Sequence, residues 1–586
     1  MRQWMVAAKK ADFYAIAEKF HVDPVVARII RNREVIGEKN IRIYLGGNLS
    51  DLSDPHQMKD MDRLVEILAQ KIRKQVHIRI IGDYDVDGVT SSHLFLTALR
   101  RVGAKVDVVI PHRIQDGYGL SLHLLQQAKE DGVDTILTCD NGIAAIDEIA
   151  WAKAQKMTVL VTDHHAVPFE EHEGRRTEKK SLADAVVNPH QQDCGYPYKE
   201  LCGAGVAWNV IRVLYENYDM DKREAEDLLD FVAMATVCDV MSLTGENRIL
   251  VKEGLKRIRH TKNIGLQALM QACNVQPENI SAYHFGYVLG PCVNATGRLD
   301  TARHALRLFE TGQETEAEEI ARDLVDLNQE RKELTLQGVE MAKKLCEEGG
   351  YENDPVLVLF LPDVHESIAG LIAGRIREMY NRPVFVLTRG EEGVKGSGRS
   401  TENYSMYENM CGCAELFTKF GGHPMAAGVS LPEENVEKFR RKINENCPLT
   451  VEEVCPDIHI DMAMPVGYAS TELVHQFALL DPFGKDNPSP LFADRNLSIS
   501  RMWLIGKNRN VLRMSVLSEY GQPVPVIFFG DVETLFAYFT EKFGQEEVEN
   551  ALHGRKNRIL FSMVYTAKID FYQGNENLQL EMKYYR

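Results

Sequence analysis

The first residues with chemical potential lie in Ile80-Ile81-Gly82-Asp83-Tyr84-Asp85-Val86-Asp87-Gly88, where three aspartates alternate after an apolar run and lead into a glycine. Single aspartates in turns commonly cap helices or face solvent. Three within five residues repel one another, which costs stability unless a cation or protons offset the charge. Two further apolar runs end in the same way: Thr135–Thr138 leads into Cys139-Asp140-Asn141-Gly142, and Thr158–Thr162 into Asp163-His164-His165. Asp239, inside the apolar stretch Phe231–Met241, is a fourth candidate, because a carboxylate there needs a partner; capping or an ordinary ion pair would also account for it. Carboxylates with one or two imidazoles and no cysteine suit Mn²⁺ or Mg²⁺ better than a structural zinc. Six or seven such groups exceed what one ion uses if water stays bound. Two ions about 3.5–4 Å apart, bridged by a shared carboxylate, would use them all and would fit in-line displacement at phosphorus.

Such a site needs elements that converge. From Val76 to about Pro189, short β-rich runs (His77–Ile81, Val106–Ile110, Thr135–Thr138, Thr158–Thr162, Ala185–Val187) alternate with helical stretches, the pattern of an open parallel α/β sheet. Ligands of such sheets bind beyond the carboxyl ends of the strands, near a switch in strand order. Helical character dominates from Ala204 to about Leu345. Its last part, with Ile320, Leu324, Leu327, Leu334, Met341 and Leu345 on one seam, predicts a long helix connecting two lobes and ended by Gly349-Gly350. A second α/β unit follows, with Val356–Phe360 and Val384–Leu387 as strands, Ser367–Tyr380 as a helix, and a glycine-rich basic turn over Gly393–Arg399. That segment lacks the Lys-Ser/Thr of a nucleotide-binding P-loop. Beyond Pro456, short strands suggest a small β-barrel. The expected plan is an N-terminal helical extension (1–75), a catalytic parallel-sheet domain (76–312), a connecting helix (313–350), a second α/β domain (351–450) and an OB-like β-barrel (451–586).

Composition narrows the class. The 586 residues are 44% hydrophobic and 26% charged, as in globular chains. No apolar stretch approaches the ~20 residues of a spanning helix, and Met1–Lys10 carries no secretory signal, so no membrane partner is expected. Eleven cysteines without CxxC spacing read as reduced thiols of a cytoplasmic protein. The net charge of −17 argues against non-specific coating of nucleic acid, though not against a local basic groove.

The aspartate run followed by Asp163-His164-His165 resembles the DHH phosphoesterases, and within them the single-stranded-DNA-specific 5′→3′ exonucleases. Supporting segments span nearly the whole chain: Arg113-Ile114-Gln115-Asp116-Gly117-Tyr118-Gly119-Leu120, Cys202-Gly203-Ala204-Gly205, Asn294-Ala295-Thr296-Gly297-Arg298, Ser397-Gly398-Arg399, Gly421-Gly422-His423, and Asp481-Pro482-Phe483-Gly484 with Asn487-Pro488. The resemblance implies two Mn²⁺ or Mg²⁺ ions held by Asp83, Asp85, Asp87, Asp140, His164 and Asp239, with Asp140 as the bridge. It implies catalytic roles for Asp140, His164 and His165, the last meeting the scissile phosphate while Asp163 orients a histidine. Arg113, Arg298, Ser397 and Arg399 would surround the terminal phosphate, and His423, in a DHH-associated domain, would contact substrate. Arg298, Arg375 and Arg399 would form a basic stripe. Tyr520, Phe528, Phe529 and Phe536 in the OB-like domain could stack on bases. Family members commonly carry Gly-Val-Ile-Gly after the second unit's first strand; this chain has Glu366-Ser367-Ile368-Ala369-Gly370, which adds a negative charge there. The implied substrate is single-stranded DNA with a 5′ end, in DNA repair and recombination, with a helicase and a single-strand-binding protein as partners to look for. The alternatives are a DHH-family phosphodiesterase for short oligonucleotides or cyclic dinucleotides, and an inactive replication scaffold. The length beyond residue 450 argues against the first, and the retained ligand types argue against the second.

Overall fold

The computed structural model describes residues 3–113, 116–117, 119–172, 175–390, 393–506, 509–572 and 574–586. The chain divides into two compact units, 48–456 and 3–47 with 457–586.

In the first unit, five strands form an all-parallel sheet: β1 (Ile78–Ile81), β2 (Val106–Val109), β3 (Thr135–Cys139), β4 (Thr158–Thr162) and β5 (Ala185–Val187), in the order β2-β1-β3-β4-β5. β1 is buried along its length, and its one charged residue, Arg79, is satisfied by Asp107 at 2.6 Å and Asp131 at 2.8 Å. Chain direction across the sheet reverses between β1 and β3, so a crevice opens where these two strands end. α1 (Val86–Arg101) leaves that crevice with Asp85 as its N-cap, accepting the Gly88 N–H. α2 (Gly203–Asn217) and α3 (Leu229–Cys238) pack beside it in the same apolar core. α4 (Gly290–Leu299) precedes the 35-residue α5 (Glu314–Glu348).

α5 connects two cores. Its first half inserts Ala317, Ile320, Ala321 and Leu324 into the core of the parallel-sheet lobe. Its second half packs Val339, Ala342 and Cys346 against the following α/β lobe. Of the seam read from sequence, Ile320 and Leu324 are buried in the first core and Leu334 and Leu345 pack against the second; Met341 is exposed because Gly338 and Val339 take the packed face.

The second lobe has a five-stranded mixed sheet: β6 (Leu357–Phe360), β7 (Val384–Gly390), β8 (Gly393–Arg399), β9 (Lys419–Gly422) and β10 (Ala426–Leu431), with α6 (Glu366–Tyr380) between β6 and β7. Gly393–Arg399 is thus a central strand, not the expected turn. A Cβ at Gly396 would come within 2.2 Å of Leu387 and 2.8 Å of Val429, so glycine there lets side chains of both neighbouring strands cross it.

In the other unit, strands Phe492–Ile505, Val511–Leu517, Pro523–Phe528, Asn575–Tyr585 and Leu560–Tyr572 pair in succession, and the last pairs with the first, closing an OB-like ring. Helices Phe13–Phe20, Pro24–Asn32 and Glu38–Gly46 share its core. The segment 1–75 is therefore divided, since Met61–Arg73 packs in the parallel-sheet lobe. Asn487 secures the docking of the N-terminal helices: its amide donates to the Leu480 and Pro482 carbonyls at 2.8 Å each, and its Oδ1 accepts from Tyr44 at 2.7 Å. Of the aromatics expected to stack on bases, Tyr520 and Phe529 are exposed, Phe528 is buried in the ring's core, and Phe536 packs against that core.

Candidate metal centre and phosphate pocket

The ends of β1, β3 and β4 bring their polar residues together at the crevice. Three sets of ligand atoms lie within 4.8 Å of one another: Asp83, Asp85 and Asp140; Asp87, His164 and Asp239; and Asp140, His164 and His165. All six residues expected to hold metal thus meet in one cluster, with Asp140 and His164 each shared between sets. His164 Nε2 lies 3.0 Å from Asp140 and 3.6 Å from both Asp87 and Asp239.

The local chain is built to hold this cluster. Asp87 accepts the Gly203 and Ala204 N–H groups at 2.6 and 2.7 Å, so the α2 N-terminus fixes its carboxylate. Asp140 adopts left-handed backbone at φ +61°, which turns it out of β3. Asp239 caps α3 at its C-terminal end and is followed by Val240 at φ +55°. Asp163 faces away from the cluster: it accepts the N–H groups of Ile143, His164 and His165 and a bond from His165 Nδ1 at 2.8 Å. Asp163 therefore orients His165, and those donors hold its pKa below normal against the opposing effect of burial.

The electrostatics ask for a cation. Burial first, then neighbouring carboxylates, pushes Asp83 and Asp140 well above the usual carboxylate range, and Asp85 upward as well. Burial lowers His164, leaving a neutral imidazole suited to ligation. Among the described residues, Asp83 Oδ2 and His164 Nε2 are buried without a hydrogen-bond partner, which is costly unless something else contacts them. A hard or borderline divalent ion fits this donor set.

Next to the carboxylates lies a cavity of about 550 Å³, lined by Tyr84, Arg113, Arg298, Ser367, Gly370, Lys395, Ser397, Arg399 and Lys419 among others. Arg298 donates to the Ser367 carbonyl at 2.6 Å, and Arg399 to Ser397 Oγ at 3.1 Å. Burial and then the neighbouring Arg113, Arg331 and Arg399 lower the Arg298 pKa to about 10; burial and Arg113 also lower Arg399. Buried guanidinium groups that destabilise one another favour an anion between them. Gly370 leaves the space: a Cβ there would lie 2.8 Å from both Arg399 Nη2 and Ser397 Oγ. The negative charge of Glu366 is met by Lys395 at 2.8 Å.

Arg113, Arg298, Ser397 and Arg399 are thus brought together, whereas His423 is exposed at the β9–β10 turn and does not line the cavity. Ile114, Gln115 and Tyr118 lie outside the described residues. Sequence reasoning missed Arg331 and Lys419. Arg331 is legible only as a charge where the α5 seam breaks between Leu327 and Leu334, and Lys419 carried no signal beyond its proximity to Gly421. Arg375 is exposed beside Glu378, 3.4 Å away.

Residues 77–236 match the DHH family N-terminal domain, 353–447 the DHHA1 domain and 460–584 the RecJ OB domain. An acid-and-imidazole cluster at the switch point of a parallel sheet, followed by a DHHA1 lobe, makes this a DHH-type phosphoesterase. A single-stranded-DNA-specific exonuclease RecJ of Haemophilus influenzae is 32% identical over 582 residues, 96% of each chain. The RecJ of Bacillus subtilis (strain 168) is 33% identical over 512 residues, 87% of this chain and 63% of that longer one. The crystal structure of RecJ in complex with Mn²⁺ from Thermus thermophilus aligns at 25% identity with a TM-score of 0.81, covering 100% of this chain and 79% of that one. The chain belongs to the RecJ family of single-stranded-DNA-specific exonucleases.

Proposed function

We propose that this protein removes nucleotides from the 5′ end of single-stranded DNA by two-metal phosphodiester hydrolysis. The observation that carries the reading is the set of overlapping ligand triads, sharing Asp140 and His164, beside an arginine-lined cavity. Asp83, Asp85 and Asp140 would hold one ion, and Asp87, His164, Asp239 and Asp140 the other, with Asp140 as the bridge. When bound, the two ions supply a water of lowered pKa and neutralise charge on the phosphorus oxygens.

The remaining work belongs to the chain. Burial disfavours charge on His165, but its bond to Asp163, with Asp239 and Asp87 nearby, outweighs this and raises the pKa to about 9. A protonated His165 half-exposed at the cluster's edge is positioned to donate to a phosphate oxygen. Arg298, Arg399, Arg113 and Ser397 would seat the terminal phosphate and so measure the cut from a 5′ end. An OB-like ring suits retention of the incoming strand and favours long substrates over dinucleotides. Eleven unpaired cysteines support a reducing compartment, the cytoplasm, for an enzyme of DNA repair and recombination. A helicase and a single-strand-binding protein are the partners this reading calls for.

The test is digestion of a 5′-phosphorylated single strand with Mn²⁺ or Mg²⁺ by wild type and Asp140→Ala. Wild type should release mononucleotides and the variant should lose at least ~10³-fold in rate. Equal activity in both, or none in either, overturns the reading.

A further inference from the structure

Tyr283 and Tyr287 are 63% and 71% exposed, yet ordered against one another: their rings stack with centroids 5.1 Å apart and planes 24° from parallel. They stand at the start of the helical run that passes through a π-turn, Phe285–Leu289, into α4. Such π-turns are frequent at functional sites. That run touches the candidate site at several points. Asn294 Oδ1 accepts the Val86 N–H at the start of α1, directly between Asp85 and Asp87. Gly297 packs so closely on the Tyr84 carbonyl that a Cβ would lie 2.4 Å from it. Arg298 lines the phosphate cavity. At the other end, Cys238 Sγ, adjacent to Asp239, donates to the Phe285 carbonyl at 3.3 Å.

From Tyr287, inside the π-turn, to the end of α4 the unburied positions are Tyr287, Val288, Pro291, Asn294, Arg298 and Leu299, of which Tyr287, Pro291, Asn294 and Arg298 recur at steps of four, three and four, the spacing of one helical face. Asn294 and Arg298 show that this face is turned toward the site. At 1.5 Å per residue, Tyr287 lies roughly 10 Å from Asn294 and roughly 17 Å from Arg298 along the axis. The order along one rigid helix is therefore phosphate cavity, carboxylate cluster, tyrosine pair.

We propose that Tyr283 and Tyr287 form a stacking platform for the bases on the 3′ side of the phosphodiester being cut. This rests on the exonuclease reading above. If the terminal phosphate occupies the Arg298 cavity and the next phosphodiester meets the carboxylates, the strand continues along the helix face to the tyrosines. A tyrosine offers a broad ring with little conformational entropy to lose, and its stacking tolerates any base. A second tyrosine stacked behind the first holds the receiving ring in place. The pair would thus hold the strand in register for the next cut without selecting sequence.

The experiment uses the full chain and a phosphorothioate-protected single strand carrying 2-aminopurine at successive interior positions. Wild type should quench the probe at a defined position, through stacking. Y283A/Y287A should lose that quenching, bind the strand about tenfold or more weakly, and lose more kcat/KM on a long strand than on a dinucleotide. Y283F/Y287F should retain wild-type behaviour. If wild type hydrolyses single-stranded DNA but the alanine pair binds and quenches as wild type does, or alters only sedimentation, the platform is refuted. If wild type does not hydrolyse single-stranded DNA at all, the exonuclease reading itself falls.

Discussion

Gly203→Ala tests whether the metal cluster depends on the close approach of the α2 N-terminus. A Cβ at Gly203 would lie 2.6 Å from Asp140 Cβ and 2.9 Å from both its Cα and Oδ1. Relief requires a shift of about 1 Å by Asp140 or by α2, because carbon atoms in ordinary contact are ~3.5–4.0 Å apart. A retreat of α2 stretches the 2.6 and 2.7 Å bonds from Gly203 and Ala204 to Asp87. A retreat of Asp140 changes its 3.0 Å spacing from His164. Overpacking of this kind costs about 1–3 kcal/mol of stability, and a displacement of ~1 Å in a catalytic constellation costs on the order of 10²-fold in rate. Gly205→Ala is the control on the same helix. Its Cβ would meet Leu201 no closer than 3.4 Å, and alanine adds up to ~1 kcal/mol of helix propensity. Calorimetric Mn²⁺ titration, thermal melting and exonuclease rate should show G203A weak in metal binding and activity, and G205A equal to or more stable than wild type. Normal metal affinity in G203A, or equal damage in G205A, would refute the reasoning.

Val240 occupies the residue after the α3 C-cap at φ +55°, with Val240 N–H donating to Val237 and Met241 N–H to Thr236, a motif that normally takes glycine there. Left-handed backbone costs a β-branched residue roughly 1–2 kcal/mol, and glycine's extra freedom when unfolded returns about 0.5–1, so V240G should raise the urea midpoint slightly; a lower midpoint contradicts this. Burial raises the Asp230 carboxyl from 3.8 to about 6, against bonds from the Thr261 hydroxyl and Phe231 N–H. Because its folded pKa exceeds its unfolded one, its contribution is fully present below about pH 3.8 and is lost as pH rises through about 6, roughly 3 kcal/mol in all. Urea stability of D230N relative to wild type should therefore improve across that window, and parallel pH profiles would count against the assignment. Asn487→Ala leaves the Tyr44 hydroxyl and two carbonyls short of a buried partner, which should cost about 2–4 kcal/mol and expose the N-terminal helices to limited proteolysis; an unchanged digestion pattern would show that Asn487 does not hold them.

The parallel sheet was legible because its strands are short apolar runs and each of the first three is followed by a helix, and the chemistry was legible because three runs end in Asp or His. The sorting of ligands into triads was not. Asp87, in α1, is separated from His164 along the chain by three strands and two further helices, and the α2 N-terminus packed against α1 holds its carboxylate at the cluster. Gly393–Arg399 misled for a physical reason: glycines that look like a turn serve here to thin a central strand so that Leu387 and Val429 can cross it. The division of residues 1–75 was hidden as well. Helices at Pro24–Asn32 and Met61–Arg73 have similar amphipathic faces, and nothing local says which core each joins. His423 shows the opposite limit: a motif can mark a turn without delivering its side chain to the pocket.

The chain's acidic balance conceals two local fields of opposite sign. At the strand ends, buried carboxylates repel one another; in the neighbouring cavity, arginines repel one another, and among the described residues no carboxylate is bonded to Arg298 or Arg399. Tyr84 stands between them, on the aspartate loop yet lining the cavity, with the Arg113 guanidinium 4.9 Å from its ring centroid. Either cluster alone would be a cost with no structural return, since buried like charges are normally paired or replaced. Under the function proposed above, they would together suit a strand whose terminal phosphate meets the arginines while its next phosphodiester, with cations, meets the carboxylates. The separation of the two fields is set by Tyr84, Asn294 and Arg298 on packed backbone, so under that proposal the distance from the strand's end to the cut would be set by the fold and not by the substrate's sequence.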